Sequence, residues 1–211
     1  MLRLVAPILL LLALSHFGLS QMIPQCTCPA VQPCKNQYAN TLIPCVDSCK
    51  AHATNLGANY GVLRQCLISR QGQIESTMKC TEASLANTCA AKPGGSVPKR
   101  FPETLKIAAL TEINRMLQAS GVKNQLKGLL ASGKRFYDCV KGCMDKKTNN
   151  CLKTLGCGLA LPSDTVLVQT AKRCAIQSGF NSAGVQAICN CAAGAGIKQL
   201  QSGVCNKLII T

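Results

Sequence analysis

Sixteen cysteines, every one of them after residue 20, constrain what this chain can fold into more than any other feature. An even count at this density belongs to a secreted chain that folds in an oxidising compartment, where cysteines pair. Cys26, Cys28, Cys34, Cys45, Cys49, Cys66, Cys80, Cys89, Cys139, Cys143, Cys151, Cys157, Cys174, Cys189, Cys191 and Cys205 are therefore read as structural disulfide cysteines. Their pairing is open, because eight cysteines alone allow 105 connectivities. Structural zinc sites usually use C-x2-C knuckles, and no pair here has that spacing. Thioredoxin-like redox chemistry is disfavoured on the same ground, and no metal or cofactor is expected.

The start of the chain agrees with that compartment. Arg3 is followed by an apolar run from Leu4 to Leu14 and by Gly18-Leu19-Ser20, the three-part grammar of a signal peptide over residues 1–20. An apolar core of 11 residues is far shorter than the roughly 20 a transmembrane helix needs. At the other end Leu208-Ile209-Ile210 is too short for the tail of a lipid-anchor signal. The expectation is a secreted, extracellular protein with no transmembrane anchor.

Charge comes next. Without Arg3 the chain carries 22 Lys+Arg against 8 Asp+Glu, a net charge of +14. Such a surface favours acidic extracellular partners: a sulfated glycan, an anionic lipid or an acidic protein. Nucleic acid fits the charge but not the compartment, and few aromatics are present for base stacking. Trp is absent, so the core must come from Leu, Ile, Val, Ala and cystine. His16 falls in the leader, which leaves His52 as the single histidine of the mature chain. Asp47, Ser48 and His52 are near one another in sequence, yet triads are assembled by the fold and not by sequence proximity. With no convergent acid, base and nucleophile set, no catalytic residue is assigned and the chain is expected not to be an enzyme.

The cysteines fall into two groups of eight with none from Ala90 to Asp138. This suggests an N-terminal eight-cysteine helical domain over residues 21–91 and a C-terminal one over 136–211. Between them lie a linker at 92–102, rich in Pro and Gly, and a cysteine-free basic helical segment at 103–135. Cys45-Val-Asp-Ser-Cys49 and Cys139-Val-Lys-Gly-Cys143 share C-V-x-x-C, and each is followed by three single cysteines. The later spacings differ, at 16, 13 and 8 residues against 7, 5 and 16, so the resemblance is one of cysteine order and not of spacing.

The fold class expected is all-α and disulfide-rich, with short helices in two cysteine-stapled halves joined by a longer amphipathic helical segment. Pro44 is placed to open a helix that puts Cys45 and Cys49 on one face. Their Cβ atoms would then be about 5–6 Å apart, too far to bridge to each other, so each should pair elsewhere. A second helix is predicted from Gln73 to Ala91, a third from Pro162-Ser163-Asp164 through Cys174, and a fourth from Ser182 to Ala193. In the cysteine-free segment Leu105, Ala109, Ile113, Met116 and Leu117, then Val122, Leu126, Leu129 and Leu130 past Gly121, recur at mostly helical spacing. The opposite side carries Lys106, Arg115, Lys123 and Lys127 against Glu112, a candidate anion-binding face.

Three functional readings follow. A disulfide-rich basic protein of this kind can act as an extracellular binding or structural module without catalysis. A cationic amphipathic helix can instead make it membrane-active or lipid-binding. No helical lipid-carrier family is matched: saposin-like modules have six cysteines, and plant lipid-transfer proteins have eight with an adjacent pair that is absent here. Third, Lys99-Arg100 and Gly133-Lys134-Arg135 resemble the dibasic signals of peptide-hormone precursors and would release an amidated peptide from Phe101 to Ser132. No Asn-x-Ser/Thr glycosylation acceptor is present.

Overall fold

The computed structural model describes residues 21–211; the leader expected over residues 1–20 lies outside the described residues. The chain is all-α and disulfide-rich. Among the described residues nine α-helices run α1 Cys28–Ser48, α2 Ala51–Thr54, α3 Tyr60–Ile68, α4 Gln71–Ser84, α5 Pro102–Ala119, α6 Lys127–Lys147, α7 Cys151–Thr154, α8 Asp164–Gln177 and α9 Ser182–Gly194. Two short strands, β1 Met22–Pro24 and β2 Ser96–Pro98, pair antiparallel with Ile23 opposite Val97. Among the described residues no helix is long and apolar enough to cross a membrane.

All sixteen cysteines are bridged. Four bridges form an antiparallel ladder: Cys26–Cys157, Cys34–Cys151, Cys45–Cys143 and Cys49–Cys139. Cys66–Cys191 then joins α3 to α9, and Cys80–Cys174 joins α4 to α8. Only Cys28–Cys89 closes inside the first cysteine group, and only Cys189–Cys205 inside the second. Each eight-cysteine segment is thus held mainly by the other, and the two C-V-x-x-C motifs are each other's partners. Cys45 and Cys49 pair elsewhere, as helix geometry requires.

Two helix boundaries correct the expectations. Pro44 does not open a helix but sits near the end of α1, which also contains Pro33. An interior proline costs a helix about 3 kcal/mol, comparable to the roughly 2–4 kcal/mol a disulfide contributes. Here each proline is followed immediately by a bridged cysteine, Cys34 and Cys45, which pins the helix at the weak point. The helix predicted to reach Ala91 stops at Ser84. Asn87 then takes a positive φ of 65°, and the chain turns back so that Cys89 reaches Cys28. Elsewhere the signals hold: Ser163 accepts a side-chain cap bond from the Val166 amide at the start of α8, and α9 begins at Ser182, where Asn181, a cap the sequence analysis did not name, accepts from the Gly184 amide.

Cores are small and short of aromatics. The largest fully buried side chains are Val31, Val122, Val204 and five half-cystines. One cluster gathers Ala53, Ala58, Val122, Leu126, Ile197, Leu200, Val204 and Leu208 around the Cys189–Cys205 bridge. A second packs Val140, Phe136 and Leu42 on Cys45 and Cys49. The C-terminal segment is tied down: Ser120 Oγ accepts from the Ile209 amide and Ser182 Oγ from the Ile210 amide, both at 2.9 Å. Gln186 Nε2 donates to the Leu208 carbonyl.

Candidate anion-binding surface

The helical segment between the cysteine groups is two helices. It breaks at Gly121, whose φ of 67° suits glycine after a helix end. The apolar Val122 and Leu126 just beyond are buried in the first core cluster. α5 lies along α8 and runs in the same direction. Arg100, just before it, pairs with Asp164 and donates to the Leu161 and Pro162 carbonyls. Further along, Glu112 meets Gln169 and Lys172 at 3.0 and 2.9 Å.

Glu112 corrects the predicted polar side. It is buried, 8% exposed, and faces α8, while Ile113, placed on the apolar side, is 38% exposed. The reason is charge: Arg115, Lys172 and Gln169 all donate to the Glu112 carboxylate. Those donors, with Arg115 the largest influence and Lys172 next, hold its carboxyl near 2, against an ordinary 4.5. A carboxylate with this many partners is worth burying where an isolated one is not.

The four candidate cations divide into two kinds. Lys106 is committed to the fold: its ammonium is 2.7 Å from Asp138 and 5.2 Å from the Tyr137 ring centroid. That contact raises Lys106 and lowers Asp138 from their ordinary ranges. Arg115 is likewise engaged, by Glu112. Lys123 and Lys127 are exposed at the α5–α6 turn and have no carboxylate within ion-pair distance among the described residues.

The same sorting extends over the surface. Six of the eight carboxylates, Asp47, Glu82, Glu112, Asp138, Asp145 and Asp164, engage eight cations between them. Of 22 cations among the described residues, 14 then have no acidic partner. Scarcity of acid was legible in the sequence; which cations it would occupy was not.

Asp47, Ser48 and His52 are not arranged as a relay. Asp47 is taken up by α3, accepting from the Tyr60 hydroxyl at 2.6 Å and from Arg64 Nε at 2.7 Å. Arg64 most of all, then Tyr60, holds the Asp47 carboxyl near 2. Burial, with the Asp47 hydrogen bond second, pushes the Tyr60 phenol up to about 12. Ser48 Oγ donates back to the Pro44 and Cys45 carbonyls within its own helix. It also stands 3.5 Å from Cys143 Sγ, beside a cleft lined by Cys49, Cys139, Lys146 and Lys147.

The dibasic pairs both lie in ordered backbone. Lys99 follows β2, and its amide donates to the Gln21 carbonyl, while the Arg100 side chain is held by Asp164. Lys134 and Arg135 are exposed, with their backbone inside α6. One feature that the sequence reading did not single out is the outer face of α5, where Ile107 and Leu110 are 64% and 37% exposed beside Ile113. Its signal was the i, i+3, i+6 spacing of these three, offset from the inward Leu105, Ala109 and Met116.

No protein-family model matches the chain, and no curated protein or solved structure matches it either.

Proposed function

We propose that this protein is a secreted, non-catalytic binding module that holds polyanionic extracellular partners through the cations its own carboxylates leave free. Eight disulfides suit an extracellular, disulfide-stabilised protein. The observation that carries the reading is the surplus: 14 cations without an acidic partner on a scaffold whose bridges span up to 131 residues of sequence. Cations with no internal partner keep their full attraction for an external anion, and a cross-linked frame loses little entropy in presenting them.

The probe is a sulfated glycan. Disulfide-intact protein is applied to immobilised heparin at physiological ionic strength and eluted with NaCl. Retention, with elution at lower salt for a variant carrying Lys123→Gln, Lys127→Gln, Lys134→Gln and Arg135→Gln, is the expected result. Passage of the unaltered protein in the flow-through would sink the reading.

A further inference from the structure

The structure assigns a more specific contact, resting on that reading: the outer face of α5 docks on an anionic lipid bilayer surface. At 100° per residue, Ile107, Leu110 and Ile113 span a sector about 120° wide on the side away from Glu112, which they share with Glu103, Lys106 and Asn114. Glu112 is the residue that faces α8, so this sector points outward. The three side chains are 64%, 37% and 38% exposed, and Tyr137 on α6 is 48% exposed. Lys106 bridges the two helices, with its ammonium over the Tyr137 ring. An apolar stripe on an ordered helix with an exposed tyrosine beside it has the make-up of an interfacial helix: apolar at the acyl boundary, amphipathic at the headgroups.

Charge decides between occupants. The α5–α6 hairpin adds Lys123, Lys127, Lys134 and Arg135, none with a carboxylate in ion-pair range among the described residues. A second copy on the stripe would bring two chains of net +14 together, cations facing cations. A surface of anionic headgroups has the opposite sign, and the exposed hairpin cations outnumber Glu103, the single carboxylate on α5 left unpaired among the described residues. Affinity then falls about fivefold for each hairpin cation removed, and on the order of tenfold when the stripe is made polar.

The test uses disulfide-intact protein and sedimentation with vesicles of phosphatidylserine and phosphatidylcholine, or of phosphatidylcholine alone. Binding only to the anionic vesicles is expected, with about tenfold weakening for Ile107→Ser/Leu110→Ser/Ile113→Ser and unchanged elution from heparin. The chain has no tryptophan, so Ile107→Trp reports the stripe alone. Its emission should shift to the blue on anionic vesicles, and this readout decides the matter if the triple variant fails to fold. Retention on heparin without binding to anionic vesicles overturns the docking proposal and leaves the binding module standing. So does vesicle binding that the stripe variant retains in full, or an Ile107→Trp emission that does not move. A concentration-dependent dimer that the stripe variant abolishes overturns it in favour of a second copy. Failure on both heparin and vesicles overturns both readings.

Discussion

Glu112 on α5 and Lys172 on α8 form an ion pair 2.9 Å long, with both side chains largely withdrawn from solvent. The contact lies between two helices that no disulfide joins directly, since α5 contains no cysteine. Polar chemistry therefore does here what cystine does elsewhere in the molecule.

Acid should weaken this joint. The Glu112 carboxyl titrates near 2 in the folded chain against an ordinary 4.5, so its contribution is complete above about 4.5 and lost as pH falls toward 2. The expected size is about 3 kcal/mol. Urea unfolding of Glu112→Gln with bridges intact, compared with the unaltered protein at neutral pH and near pH 3, checks it: the variant starts less stable, and the gap narrows in acid.

Non-reducing peptide mapping should recover Cys45 and Cys49 attached to the segment carrying Cys139 and Cys143, and not to each other. The Cys45→Ser/Cys143→Ser variant removes one bridge of 98 residues' separation and should lower stability by about 2–4 kcal/mol. Fragments in which each cysteine group is linked only internally would refute the ladder.

Gly196 meets Gly57 back to back. Gly196 has φ 108°, and a Cβ there would come 2.6 Å from the Gly57 carbonyl oxygen. Both strain and overlap penalise Gly196→Ala, by about 2 kcal/mol or more. Gly94→Ala, also at positive φ but with open space around it, should cost less. Thermal unfolding of the two variants gives the comparison.

Asp47 should remain ionised down to about pH 2 and the Tyr60 phenol protonated up to about 12. Arg64→Ala removes the strongest influence on Asp47 and should move its carboxyl up toward the ordinary range; Tyr60→Phe should move it less. Side-chain carboxyl titration by NMR reads both. An Asp47 that titrates normally in the unaltered protein would refute the α1–α3 lock.

Much of this molecule was legible in one dimension. Cysteine density set the class, and Ser163 and Gly121 mark helix ends because capping and positive φ depend on a few adjacent residues. The impossibility of a Cys45–Cys49 bridge follows from the rise and turn of a helix. The scarcity of carboxylates is likewise a property of composition.

Tertiary structure alone decided which cysteine meets which, because closing Cys26 on Cys157 across 131 residues depends on every element between them. It also carried α1 through Pro33 and Pro44, against local preference, by anchoring Cys34 and Cys45 from another part of the chain. And it turned α5 so that Glu112 faces inward and Ile107, Leu110 and Ile113 outward. Periodicity can say that a helix has faces. Which face is buried depends on the donors waiting on its neighbour, here Lys172 and Gln169 of α8.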